Sequence, residues 1–224
     1  MSRSAESGAS RTADLPTTKG VVHLRTHCSP DFVDGLELDE GLGVFPQYRS
    51  IIRDKGTLKE VAALENANLV IAYDDDGKIV GYIAFSNPSP MERWGKDGRG
   101  LLYELGSFEV SRGWRRLGVA KKMVEIALQD DEWEDKILFL TGFSWHWDMP
   151  ETGLTKPGYR KMLMHIFEPF GFRHFYTTEP NIMMDTANML MARIGSRVSD
   201  EDRERFLDLL FAEPQGEEGG WDFS

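Results

Sequence analysis

The sequence predicts a mixed α/β domain, and three observations predict it. Short β-like runs alternate along the chain with stretches whose apolar residues fall four apart, two of the runs form a hairpin near the front, and 41% hydrophobic with 28% charged residues is ordinary globular composition. A length of 224 residues fits one domain with extensions.

Residues 1–19, rich in Ser, Thr and Arg, are expected to be a disordered leader, so structure is expected from Gly20 onward. Residues 21–26 read as a first strand. Thr57 with Glu60 has the capping-box pattern, and Leu58, Val61, Ala62 and Leu64 are spaced to bury one face of a short helix set off by Gly56 from residues 48–53. The turn Asp74-Asp75-Asp76-Gly77 joins strands at 69–73 and 78–85 into an antiparallel hairpin. Pro88, Pro90, Gly95, Gly98 and Gly100 mark a loop, after which residues 101–110 return to strand. From Gly118, Val119, Met123 and Ala127 make a helical stripe with Ala120, Val124 and Leu128. A strand at 136–143, a helix at 158–168 stopped by Pro169, and strands at 172–177 and 187–194 follow. Ser199 and Asp202 cap a last helix that buries Phe206, Leu209 and Leu210, and residues 212–224 are expected to be a disordered acidic tail.

Several function classes fall away on composition. No apolar run approaches the roughly 18 residues of a membrane span. The single Cys28 cannot form an internal disulfide and the start lacks a secretory pattern, so a cytoplasmic protein is expected. The net charge is −11, of which residues 199–224 carry −7; an acidic chain repels nucleic acid and attracts amines. His23, His27 and Cys28 are the nearest approach to a metal set, but a ligand set there is incomplete and no metal is expected.

The chemistry concentrates in one stretch. The strand Glu104-Leu105-Gly106-Ser107-Phe108-Glu109-Val110 runs through a short loop into Arg115-Arg116-Leu117-Gly118-Val119-Ala120, which opens a helix. The first amides of a helix have no internal partner and sit at the positive end of its dipole, so they hold phosphate or pyrophosphate. Gly118 and Ala120 leave the approach open, and Arg115, Arg116, Lys121 and Lys122 add positive charge. Glu104 and Glu109 are the carboxylates of this strand. An odd separation puts them on opposite faces of a regular strand and on one face only if a bulge intervenes.

Arg115-x-x-Gly118-x-Ala120 resembles the Gln/Arg-x-x-Gly-x-Gly/Ala motif of the GNAT superfamily of acyl-CoA N-acyltransferases, although Leu117 stands where that family usually has arginine. The resemblance implies a GNAT fold: a central mixed, largely antiparallel sheet flanked by helices, spanning 20–198, with a C-terminal helix at 199–211 packed on it. It also implies acetyl-CoA as acetyl donor, with Arg115, Arg116, Leu117, Gly118, Val119, Ala120 and Lys121 around its pyrophosphate and the backbone of Val110 on its pantetheine arm. Glu104, eleven residues before Arg115, stands where protein acetyltransferases of the family carry the general base that takes the proton an amine must lose before it attacks, and Glu109 is the competing candidate. The family's tyrosine that protonates the leaving thiolate is Phe167 here, which leaves Tyr159 or water for that role.

A narrower resemblance spans about residues 20–211 and is to bacterial protein-lysine acetyltransferases of acetoin utilisation. It rests on Pro90-Met91-Glu92-Arg93-Trp94, Trp145-His146-Trp147-Asp148, Tyr159-Arg160-Lys161-Met162 and Asn188-Met189-Leu190-Met191-Ala192-Arg193-Ile194-Gly195. It implies that the acceptor is a lysine of the AMP-forming acetyl-CoA synthetase. Trp145, His146 and Asp148 are then expected to line the acceptor side, aromatic walls and a carboxylate suiting a lysine stem and head. A small-molecule amine acetyltransferase and a non-catalytic acyl-CoA sensor are the other readings.

Overall fold

A computed structural model describes residues 9–43, 54–96 and 99–212. Among these residues nine strands form one sheet: β1 (Thr12–Thr17), β2 (Gly20–Arg25), β3 (Glu37–Leu38), β4 (Asn68–Asp74), β5 (Lys78–Ser86), β6 (Leu102–Val110), β7 (Ile137–Gly142), β8 (Arg173–Phe175) and β9 (Met189–Ile194). Their order is β1-β2-β4-β5-β6-β7-β9-β8, with β3 beside β5. Two pairings are parallel, β3 with β5 and β6 with β7; the others are antiparallel.

Alternation along the strands sorts the core into two faces. Val70, Ala72, Leu138, Leu140, Met189 and Met191 pack against α3 (Val119–Ala127) and α5 (Lys156–Phe167). Their neighbours turn the other way. Leu69 and Ile71 meet α1 (Pro30–Asp34) and α2 (Lys55–Ala62), while Phe139, Leu190 and Ala192 meet Phe206 and Leu210 of α7 (Asp200–Phe211). The described residues also hold two single-turn helices, α4 (Met149–Thr152) and α6 (Pro180–Met183).

Three expectations are corrected. The leader does not extend to residue 19: Ala13 and Leu15 turn onto the core and the whole of β1 pairs with β2, its Pro16 tolerated because β1 is an edge strand. Asp54, not Thr57, caps α2, its carboxylate accepting from the Thr57 N–H at 2.9 Å. The strand expected at 172–177 stops at Phe175 because the next residues turn to meet α7, where the Thr178 N–H donates to the Leu210 carbonyl. Ser199 caps α7 as expected. Residues 48–53, the first eight residues of the leader, and the tail beyond Ala212 lie outside the described residues.

Candidate active site

The parallel pair β6–β7 is short. Leu102, Tyr103 and Glu104 pair with Ile137, Leu138 and Phe139, and there the ladder stops. Past that point β6 follows β5 and β7 follows β9, so the two strands part in a V. At the parting Gly106 is an extra residue: Leu105 faces Phe85 and Ser107 faces Ala84. This bulge changes which side chains share a face. Tyr103 and Leu105 before it and Phe108 and Val110 after it all pack toward α3, so Glu104, Ser107 and Glu109 share the opposite face.

Between the strands lies a cleft of about 870 Å³ that passes through the sheet: Phe108, Val110 and Tyr159 line it from the α3 side, Ser107, Glu109 and Tyr82 from the other. At its mouth stands the N-terminus of α3. Gly118, the residue before the helix, has φ +86 and offers no side-chain cap, so the first amides of α3 have no partner from it. Arg116, with φ +64, shapes the same turn. Every motif residue expected around a pyrophosphate lines this cleft except Leu117, which packs into the core.

The arginine side chains are committed elsewhere. Arg115 donates through Nε to the Val110 carbonyl at 3.2 Å and through its terminal nitrogen to Asp148 at 2.7 Å. Arg112, also lining the cleft, grips both oxygens of the same carboxylate at 3.0 Å. Burial alone would raise the Asp148 carboxyl, but these hydrogen bonds hold it below the usual range. The Asp148 side chain is 0% exposed, which corrects the acceptor-side expectation: a carboxylate enclosed by two guanidiniums does not meet a lysine head. Trp145 also stands outside the cleft lining, stacked on Phe143 at 4.8 Å. His146 does line it, and burial lowers its pKa. Val110 lines it too, though its carbonyl already accepts from Arg115.

The two glutamates differ in environment. Glu109 accepts from the Tyr82 hydroxyl at 2.7 Å and from the Gly43 N–H at 2.8 Å. Glu104 lies where the V closes, outside the lining of the main cleft. Burial, with the charge of Glu92 added, pushes its carboxyl up to about 7. Tyr159 stacks on Trp147 at 5.1 Å, and burial pushes its phenol up against the opposing pull of Arg115. Phe167 is buried against Phe108 and Phe172.

The histidines set aside on sequence find separate carboxylates, His23 between Asp14 and Asp75 and His27 on Asp130. Both oxygens of Asp130 are taken, one by Arg11 and one by His27. Sequence reasoning missed Arg112 and the Trp147–Tyr159 stack; Arg112 lies three residues before Arg115, outside the four basic residues noted there, and the stack joins residues on different elements and has no local signal.

A profile described as "Acetyltransferase (GNAT) family" matches residues 35–140. The Acetoin utilization protein AcuA of Bacillus subtilis (strain 168) is 33% identical over 200 residues, covering 89% of this chain and 93% of that protein. The chain belongs to the GNAT acetyltransferase family. A second AcuA, from Bacillus licheniformis, is 35% identical over 198 residues, covering 88% of this chain and 92% of its own. The crystal structure of an acetoin utilization protein from Exiguobacterium sibiricum superimposes with a TM-score of 0.85 at 30% identity, covering 93% of this chain and 97% of that one. As a GNAT protein the chain is an acetyl-transferring enzyme whose donor is acetyl-CoA, and no helix among the described residues is long and apolar enough to cross a membrane.

Proposed function

We propose that the chain transfers the acetyl group of acetyl-CoA to the ε-amine of a protein lysine, and that the AMP-forming acetyl-CoA synthetase is the acceptor it inactivates. A cytoplasmic setting belongs to this reading. The observation that carries it is Glu104: a desolvated carboxylate at the point where β6 and β7 part, on the face away from α3, with its carboxyl raised to about 7. A base with a pKa near the working pH is the most effective one.

In this reading the α3 amides and the cleft hold the donor, and the lysine enters from the Glu104 face. The amine nitrogen attacks the thioester carbon, forming the C–N bond while its proton passes to Glu104 directly or through water. Collapse of the tetrahedral intermediate breaks the C–S bond, and the CoA thiolate leaves. Tyr159 protonates that thiolate, because Phe167 has no hydroxyl and Tyr159 lines the cleft.

The test is to incubate the chain with acetyl-CoA and a purified AMP-forming acetyl-CoA synthetase, following lysine acetylation by mass spectrometry and the remaining synthetase activity. Acetylation with loss of activity is expected. No modification, with CoA released in the presence of polyamines or amino acids, overturns the protein-acceptor reading in favour of a small amine; acetyl-CoA binding without CoA release for any acceptor overturns catalysis altogether.

A further inference from the structure

The open half of the cleft presents a mechanical problem. Backbone pairing between β6 and β7 ends at Glu104 and Phe139, and beyond it no ladder among the described residues spans the gap that must admit a long, thin ligand arm. The width of that gap has to be fixed by side chains. On the β6 side the chain leaves the strand at Val110 and turns through Arg112 to Arg115; on the β7 side it leaves at Gly142 and turns through residues 143–147 to Asp148. The two exits meet at one buried carboxylate. Asp148 accepts two hydrogen bonds from Arg112 and one from Arg115, and Arg115 is itself anchored to the Val110 carbonyl.

We propose that Asp148 is a positioning residue for acetyl-CoA: its bridge to Arg112 and Arg115 replaces the missing ladder and sets the spacing of the two strand ends around the donor. A fork of planar guanidinium on carboxylate fixes distance and orientation together, which a single contact between flexible chains does not. The bridge also carries a second consequence. Trp147, next to Asp148, stacks on Tyr159, so the same tie holds the wall against which that phenol rests. Breaking it loosens the donor side of the cleft first, because Arg112, Arg115 and Val110 all line it. The inference rests on acetyl-CoA occupying this cleft and is independent of which acceptor is used.

The experiment is direct titration of acetyl-CoA onto the full chain by calorimetry, without acceptor, for the unchanged protein and for Asp148→Asn, with KM and kcat measured alongside. The neutral amide cannot hold two guanidiniums as the carboxylate does, so acetyl-CoA affinity should fall roughly tenfold or more, with KM for acetyl-CoA rising more than kcat falls. Asp148→Glu keeps the charge and should recover part of the loss. If Asp148→Asn fails to fold, Arg112→Lys decides: it keeps the charge, loses the fork, and should weaken acetyl-CoA in the same direction. Unchanged acetyl-CoA affinity in the folded variants overturns the proposal, and a rise confined to the acceptor KM would return Asp148 to the acceptor side. An unchanged protein that binds no acetyl-CoA would instead overturn the donor site itself.

Discussion

Glu104 and Glu109 show how much a single residue's surroundings decide. Both are strand carboxylates on one face, yet Glu109 is occupied by Tyr82 and Gly43 while Glu104 has burial and the charge of Glu92 to contend with. Only the unprotonated Glu104 accepts a proton, so kcat/KM should rise with pH and reach half its plateau near 7, the value to which the carboxyl is pushed. Glu104→Gln should abolish that limb and lower the rate by about 10²–10⁴, with acetyl-CoA affinity nearly intact. Glu92→Gln removes a negative neighbour, so the midpoint should move to lower pH; a pH–rate profile that is unchanged in both variants would contradict the assignment. The family resemblance, through the spacing to Arg115, made Glu104 a candidate from sequence. Its shared face with Glu109 was not legible, because that depends on Gly106 being extra against β5, and a register between distant strands leaves no mark in one strand's own residues.

Among the elements, α3 is where the sequence spoke most clearly: the apolar stripe Val119, Met123 and Ala127 is buried and the helix begins directly after Gly118. The hairpin of β4 and β5 and the capped α7 were equally legible, since each carries its own turn or cap. β1, β3, α4 and α6 were not, being short elements of two to six residues held by their partners rather than by their own pattern. Function and helix stability pull in opposite directions at the start of α3. Lys121 is exposed in its first turn and lines the cleft, and a carboxylate there would favour the helix dipole while repelling a pyrophosphate. Lys121→Glu should therefore leave thermal stability unchanged or raise it by up to about 1 kcal/mol, while weakening acetyl-CoA binding. Unchanged acetyl-CoA affinity by calorimetry, in a variant whose thermal melting shows it folded, would show that the N-terminus of α3 does not meet the donor's phosphates.

At the scale of the whole molecule, the part of the core under α7 is tied to the site through Arg93 and Trp94. Arg93 lies in the loop between β5 and β6, its side chain 9% exposed, and its guanidinium donates to the last carbonyls of α7, Leu209 at 3.3 Å and Leu210 at 3.1 Å, while Nε pairs with Glu179 at 3.3 Å. Cations suit a helix C-terminus, where carbonyls have no partners of their own. Trp94, the next residue, packs on Phe139 at 5.4 Å, and Phe139 is the strand partner of Glu104. The loop is thus pinned by Arg93 to the C-terminal helix and by Trp94 to the strand partner of Glu104, and the charge of Glu92, beside them in sequence, raises the Glu104 carboxyl. Removing the guanidinium strands Glu179 and takes a donor from the Leu209 carbonyl, while Leu210 keeps the Thr178 N–H, a loss of about 3–5 kcal/mol by analogy with other broken buried pairs. At roughly 2–4 °C per kcal/mol for a chain of this size, Arg93→Ala should melt on the order of 10 °C lower. Because the same loop carries Glu92, the folded variant at low temperature should also show its activity midpoint displaced from that of the unchanged protein. A melting point within about 2 °C of the unchanged chain would mean that α7 is held without help from Arg93 and that the loop takes its position from Trp94.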